Sequence, residues 1–352
     1  MTIQIGERKI GPGHPTFIIA EISGNHNQGF ERAVEIIKAA HEAGADAIKL
    51  QTYTADTITI DSDKPPFRVG AGDKPELWQG KTLHQLYSKA YTPWEWQPKL
   101  KKVAEDLGMI LFSTPFDDTA VDFLEKMDVL CYKVASFECT DMWLLKKIAK
   151  TKKPIIMSRG MASEEEIKEA ISTLRENGAG QIAVLHCVSA YPAKPEEMNL
   201  RTIPDLREKF GVVSGLSDHT LGTEVAVAAV ALGASIIEKH VTLDRAAGGI
   251  DDSFSLEPAE LKQLVSSVRI VERALGEAHY GPASAREAEE KHWRRSLFVV
   301  KNMKKGEKFT SENVRSIRPA DGLPTKFFDE IIGKVAAKDI ESGTPLDWNL
   351  VG

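Results

Sequence analysis

The sequence is short of the features that mark several large classes of protein, and each shortage removes a class. It has three cysteines, Cys131, Cys139 and Cys187, an odd number and too few for a disulfide framework. Each lies in or beside an apolar run and reads as a buried, reduced thiol rather than a nucleophile. No apolar run approaches the roughly 20 residues that a membrane-spanning helix needs. The N-terminal MTIQIGERKIGPG carries charge within ten residues and has no signal-peptide core, so a cytoplasmic protein is expected. Basic residues are not in excess. The formal charge is -6, and Lys and Arg are interspersed with acids as on a solvated face, which speaks against a nucleic-acid partner. No Gly-x-Gly-x-x-Gly follows the first strand candidate, which weakens a dinucleotide-binding fold. Aromatics make up 7 % of the 352 residues, with 42 % hydrophobic and 27 % charged, an ordinary globular balance.

Short apolar runs alternate with helix-period segments through the first three-quarters of the chain. The strand candidates are FIIAE (17–21), AIKLQ (47–51), MILFS (109–113), YKVAS (132–136), PIIMS (154–158), IAVLH (182–186), VVSGL (212–216) and SIIEKH (235–240). Amphipathic segments such as ERAVEIIKAAHEAG and SEEEIKEAISTLRENG separate them, several ending at Gly, where a left-handed cap forms easily. Near-continuous apolar strands, each followed by a helix, imply a parallel sheet covered on both faces. Eight such units predict an α/β fold of the (β/α)8 TIM-barrel class over residues 1–280, the last helix running from about Pro258 to Gly276. A polar stretch at 281–293 reads as a linker. Residues 294–352 carry short strands broken by the turns KKGEKF and ESGTPL, which lie in similar contexts and suggest an internal pseudo-repeat. A unit of about 60 residues buries a small core and is expected to lean on a larger surface.

In a parallel barrel, active sites form where strands end and the following loops begin. The strand ends here supply Glu21; Lys49 and Gln51; Ser113 and Thr114; Lys133 and Ser136; Ser158 and Arg159; His186; Ser217, Asp218 and His219; and Glu238, Lys239 and His240. A helix cap explains one such polar residue; convergence of so many on one rim points to a site. His219 and His240 close consecutive strands. Each alone suits a satisfied core histidine; as a pair they suit a divalent transition metal completed by oxygen donors, Mn²⁺ first, with Mg²⁺ or Co²⁺ as alternatives. Lys49 and Lys133 point inward from apolar strands, where a cation is costly unless it meets an anion. With Ser136 and Ser158 they make a cradle for phosphate and carboxylate; a Schiff-base lysine and a Lys–Glu pair with Glu21 or Glu238 are the competing readings. Glu21 suits an acid, a base or an orienting group. Asp251 and Asp252, in the loop GGIDDSF, suit sugar hydroxyls or a solvated loop equally. The segment 77–98, with Trp78, Tyr87, Tyr91, Trp94 and Trp96, suits either a wall beside a sugar or packing of a long loop.

Taken in order, AEISGNHN, AIKLQTY, FSTPFD, YKVASFE, MSRGM, LHCVSAYP, GLSDHT, IEKHVTLD and SLEP, with FVVKNMKKGEKFTSENVRSIRPADGL and IGKVAAKDIESGTPL in the tail, resemble the sialic acid synthase family. The likeness spans essentially the whole chain. It implies an N-terminal barrel and a small C-terminal β-rich antifreeze-like (SAF, β-clip) domain. It implies a transferase condensing phosphoenolpyruvate with an amino-sugar aldehyde, with metal ligation by His219 and His240 and Glu21 as the catalytic carboxylate. Phosphoenolpyruvate would be bound by Lys49, Lys133, Ser136, Ser158 and Ser189, and the sugar by Gln51, Tyr191 and Asp251. Arg318 would reach the active site of a partner in a domain-swapped homodimer. Within the family YTPWEW, SAYP and GGIDDSFSLEP resemble the branch that makes pseudaminic acid. Ser189 and the GGIDD loop depart from the pattern of enzymes using N-acetylmannosamine and imply a 6-deoxy diacetamido hexose instead. Legionaminic and N-acetylneuraminic acid synthesis, a class I aldolase and a non-catalytic sugar sensor are the alternatives.

Overall fold

The computed structural model describes residues 1–70 and 78–352. The chain divides into two compact units, Met1–Gly276 and Glu277–Gly352. The first opens with an antiparallel hairpin, β1 (Ile3–Ile5) and β2 (Arg8–Ile10), too short for its pattern to register in the sequence. Eight parallel strands follow: β3 (Phe17–Glu21), β4 (Ala47–Thr52), β5 (Ile110–Pro115), β6 (Tyr132–Val134), β7 (Ile155–Ser158), β8 (Ile182–Cys187), β9 (Val213–Asp218) and β10 (Ile236–His240). They close into a barrel in the order β10-β3-β4-β5-β6-β7-β8-β9, as the sequence predicts.

Strands such as Phe17–Glu21 and Ile182–Cys187 are buried along their whole length, between the barrel interior and the surrounding helices. Helix Phe30–Ala43 buries Ala33, Val34, Ile36, Ile37 and Ala40 on one side, the stripe expected at 3.6 residues per turn. It stops at Gly44, whose φ of 89° lets its N–H reach the carbonyls of Ala40 and His41. Helix Glu164–Glu176 starts from a reciprocal cap between Ser163 and Glu166. The hairpin closes one end of the barrel: Ile3, Ile5 and Ile10 join a buried cluster with Phe17, Phe112, Tyr132 and Val184. The other end is left open to the loops that follow the strands.

The second unit carries its own core of Leu297, Val299, Phe309, Val314, Ile340 and Leu346 around the antiparallel pair β11 (Ser296–Val299) and β12 (Val314–Ile317). The stretch 281–293 holds helix Ala285–Glu289 and the turn Glu290–Trp293, and it groups with this unit. The two turns of the suspected repeat correspond. Glu307 N–H donates to Lys304 O and Thr344 N–H to Glu341 O, each around a left-handed glycine, Gly306 and Gly343, and the residues three beyond, Phe309 and Leu346, are both fully buried. Among the described residues no helix is long and apolar enough to cross a membrane.

Candidate active site

Strand register sorts the polar strand ends into two sets. Residues paired across neighbouring parallel strands share a face, and the pairs Glu21↔Lys49, Gln51↔Thr114, Cys187↔Ser217 and Glu238↔Ser217 set residues of β3, β4, β5, β8, β9 and β10 toward the barrel axis. The next residue along points the other way. Ser113 bonds Thr52 Oγ1 at 2.6 Å and Lys239 pairs with Asp218 at 3.0 Å, both between strand and helix. His186 donates from Nε2 to Met198 O, and Arg159 donates to its Nδ1 at 2.8 Å. The expectation that every strand end serves the rim is corrected for Ser113, Arg159, His186, Asp218 and Lys239: the two-residue alternation of a strand sends these outward.

The inward set meets at the open end, around a cavity of about 510 Å³. Its floor is a charged cluster. Lys49 Nζ lies 2.7 Å from Glu21 Oε2 and 3.8 Å from Glu238 Oε2, and Lys133 Nζ lies 3.6 Å from Glu238 Oε1. Lys133 also donates to Ser158 Oγ at 2.7 Å, and Ser217 Oγ donates to Glu238 at 2.9 Å. Burial favours the neutral form of both carboxyls, but the outcomes diverge. At Glu238 the two lysines and Ser217 outweigh burial and hold the carboxyl below its usual range. At Glu21 burial wins over Lys49, and the neighbouring Glu238 adds to the rise. Two carboxyls pushed apart in this way suit one permanent counter-ion, Glu238, and one group able to hold a proton, Glu21. Burial lowers the Lys133 ammonium, Glu238 opposing.

Lys49, Gln51, Lys133, Ser136, Ser158, Tyr191, His219, His240 and Asp251 all stand on the cavity wall. Ser189 stands just behind, its hydroxyl donating to Ser136 Oγ at 2.8 Å. Glu21 is fully buried and lies beneath the wall, where Gln51 Nε2 reaches its Oε1 at 2.9 Å. Ser23 donates to Asp251, whose carboxyl burial pushes up to about 6 against that bond. Arg318 belongs to the second unit, exposed at the end of β12 beside the cis bond to Pro319.

The histidines meet, their ring centroids 5.3 Å apart. His219 Nδ1 donates to Val188 O at 2.9 Å; burial disfavours the charged ring, but Cys187 and this carbonyl outweigh burial and raise its pKa. His240 Nδ1 is buried without a hydrogen-bond partner, and burial, with His219 beside it, keeps this ring neutral. Among the described residues no group of three or more His, Cys, Asp or Glu side chains is arranged to hold a metal. The pair therefore offers two nitrogen donors, and a buried nitrogen without a partner is what an absent ligand leaves behind.

Of the aromatic segment, Trp78 and Tyr87 line the cavity, and Trp78 donates to Ile250 O at 3.2 Å. Trp94 and Trp96 turn away: Trp94 donates to Tyr53 O and lies against Phe123, while Trp96 meets His26 and Phe30. Tyr91 is engaged through its carbonyl by Gln28, and Leu77 lies outside the described residues. The sequence reading missed Tyr53, Phe116 and Glu138, which also line the cavity. Glu138 lies in the short turn Ser136–Glu138 that follows β6, where strand alternation no longer says which side chains face the barrel mouth. Burial lifts its carboxyl to about 7, and its Oε2 has no partner.

The NeuB family model matches residues 36–280 and the SAF domain model residues 294–352. A pseudaminic acid synthase of Campylobacter jejuni is 45% identical over 330 residues, covering 94% of this chain and 95% of that protein. A pseudaminic acid synthase of Helicobacter pylori is 42% identical over 332 residues, covering 94% and 96%. Among solved structures, an N-acetylneuraminic acid synthetase of Leptospira borgpetersenii, in complex with citrate, superposes with a TM-score of 0.72 at 34% identity, covering 82% of this chain and 95% of that one.

Proposed function

The chain belongs to the NeuB family, and from that premise we infer that it is a pseudaminic acid synthase. It condenses phosphoenolpyruvate with 2,4-diacetamido-2,4,6-trideoxy-L-altrose to give pseudaminic acid and phosphate. Curated pseudaminic acid synthases match it along nearly its full length. The observation that carries the chemistry is the floor of the cavity. Two buried lysines face Glu238, whose carboxyl they hold below its usual range against burial, and Glu21, whose carboxyl burial raises against Lys49. Buried ammonium groups at the foot of an open cavity suit an anionic substrate.

On this reading Lys49, Lys133, Ser136, Ser158 and Ser189 hold the phosphate and carboxylate of phosphoenolpyruvate, and Gln51, Tyr191 and Asp251 orient the open-chain sugar. Carbon 3 of phosphoenolpyruvate attacks the sugar aldehyde and leaves positive charge at carbon 2. Water adds there, and the resulting hemiketal phosphate collapses with C–O cleavage. Lys49 is placed to pass a proton to the new alkoxide, and Glu21, reached through Lys49, to replace it. His219 and His240 would hold a divalent metal, Mn²⁺ first, which when bound supplies Lewis-acid polarisation of the aldehyde. By the family likeness the enzyme is a cytoplasmic homodimer in which Arg318 of one subunit completes the site of the other. Glu21→Gln lowers kcat on the order of 100-fold while leaving the KM for phosphoenolpyruvate nearly unchanged; equal loss in both would assign Glu21 to binding.

The lowered Lys133 ammonium favours one rival, a Schiff-base aldolase, which requires that borohydride with the sugar trap a covalent adduct on Lys133. The deciding experiment measures phosphate release from phosphoenolpyruvate with the diacetamido altrose, its manno isomer and N-acetylmannosamine, with Mn²⁺ and with chelator. Release confined to the altrose and abolished by chelator supports reaction, metal and sugar together. Release with another sugar alone overturns the substrate assignment, and release unaffected by chelator overturns the metal.

A further inference from the structure

The loop after β3 sets a serine where its backbone is costly and its hydroxyl is fully used. Asn25 N–H donates to Ile22 O at 3.1 Å, so Ser23 and Gly24 form the corner of a tight turn. Ser23 takes φ 51°, in the left-handed region that glycine occupies freely and a residue with a Cβ does not. The glycine of the turn stands one residue later, where a Cβ would lie 3.3 Å from the Ala90 Cα and carbonyl oxygen. Close approach to helix Leu83–Ala90 accounts for Gly24. A side chain kept on a strained backbone at a cavity wall points to a use for that side chain.

Ser23 is buried and lines the cavity. Gln51 reaches it from β4 and Asp251 from the loop after β10. Gln51 Nε2 donates to Glu21 Oε1 at 2.9 Å and to Ser23 Oγ at 3.3 Å. Both amide hydrogens are thereby committed, and Oε1 is left as an acceptor without a partner among the described residues. Ser23 Oγ in turn donates its one hydrogen to Asp251 Oδ2. Burial lifts the Asp251 carboxyl to about 6, so at neutral pH it too is an acceptor. The two loops are tied together without the serine hydroxyl. Asn25 Nδ2 donates to Val241 O at 2.9 Å and to Ser255 Oγ at 2.8 Å, and Ser255 Oγ donates to Asp251 O at 2.6 Å.

We propose that Ser23 is a positioning residue for the sugar: its hydroxyl fixes Gln51 and Asp251 as a pair of acceptors, so that the site holds the sugar by hydroxyl or acetamido N–H donors. The inference rests on the reaction proposed above, in which these two side chains orient the sugar. Without the hydroxyl, the Gln51 amide is free to turn its N–H groups toward the cavity, and a donor cannot bond a donor. Asp251 loses a charge-assisted bond and with it a fixed orientation. Among the described residues Ser23 bonds none of the groups assigned to phosphoenolpyruvate.

The test is steady-state kinetics of phosphate release with Mn²⁺, each substrate varied in turn, using whichever of the three sugars named above the unmodified enzyme turns over best. Ser23→Ala and Ser23→Gly raise the KM for the sugar roughly tenfold and leave the KM for phosphoenolpyruvate within about twofold. Glycine relieves the left-handed backbone and alanine does not, so a defect shared by both variants belongs to the missing hydroxyl. Ser23→Gly carries the test by itself should the alanine variant fail to fold. An unchanged sugar KM in Ser23→Gly overturns the inference, as does an equal rise in both KM values. The reaction itself still stands in those cases, because the unmodified enzyme releases phosphate. No release by the unmodified enzyme from any of the three sugars overturns the reaction and the inference together.

Discussion

At Gly160 the backbone takes φ +49°, and a Cβ built there would lie 2.5 Å from the Ser136 Cβ and 3.0 Å from the Ser189 hydroxyl. Both conditions act on the hydroxyls assigned to phosphate, since Ser136 and Ser189 are bonded to each other at 2.8 Å. Gly160→Ala is therefore expected to displace that pair and to raise the KM for phosphoenolpyruvate at least about tenfold, with the sugar KM little changed. Steady-state kinetics with each substrate varied in turn checks the split. Asp251 supports a pH prediction. Burial raises its carboxyl from 3.8 to about 6, with Ser23 opposing, so between those values the folded chain keeps a proton that the unfolded chain has released. Stability contributed by this group is therefore whole below about pH 4 and falls as pH rises to about 6. Relative to Asp251→Asn, the unmodified protein should lose on the order of 3 kcal/mol across that window. Urea unfolding of both proteins at pH 4 and pH 7 measures the difference, and parallel curves would refute it.

Among the elements, the eight barrel strands were legible because each is buried on both faces and so reads as a continuous apolar run. β1 and β2 were not: IQI and RKI alternate over three residues, and only the barrel end they cover gives the isoleucines a reason to be buried. The site was legible in its residue types and only half legible in its directions. Glu238 and His240 were separable from Lys239 by alternation alone, yet a strand read as a run of letters does not say which alternate faces inward until a partner's register is known. The long loop after β4 was harder still. Its tryptophans at 94 and 96 lie in a turn before helix Gln97–Asp106, where Trp94 packs on Phe123 and Trp96 on His26 and Phe30, while the aliphatic Leu83 and Leu86 face the cavity. Sequence offers no sign that the less conspicuous residues hold the wall. The hairpin permits a direct test of division of labour between the barrel ends. Ile5 is fully buried with Phe17 and Phe112, so Ile5→Ala should cost about 2–5 kcal/mol of stability and leave both KM values unchanged at a temperature where the variant is folded. A changed KM would mean that the closed end is coupled to the cavity.

For the whole molecule the question is why a second unit, Glu277–Gly352, with a ten-residue core accompanies a complete barrel. A small core stabilises weakly on its own, and Arg318 is exposed on this unit. The proposed exchange of this unit between subunits accounts for both, and it makes a prediction that no monomeric arrangement makes. A barrel-defective Glu21→Gln chain and an Arg318→Ala chain should each be nearly inactive alone. Mixed under conditions that allow subunits to exchange, they form heterodimers in which one site joins an intact barrel to an intact Arg318 and the other joins the two defects. With random pairing, half of the dimers are mixed and half of their sites are whole, so activity should recover to about a quarter of that of the unmodified enzyme. Recovery should track the exchange rate, and light scattering should give a dimer throughout. If Arg318 instead serves its own barrel, mixing creates no intact site and activity stays at the sum of the two variants.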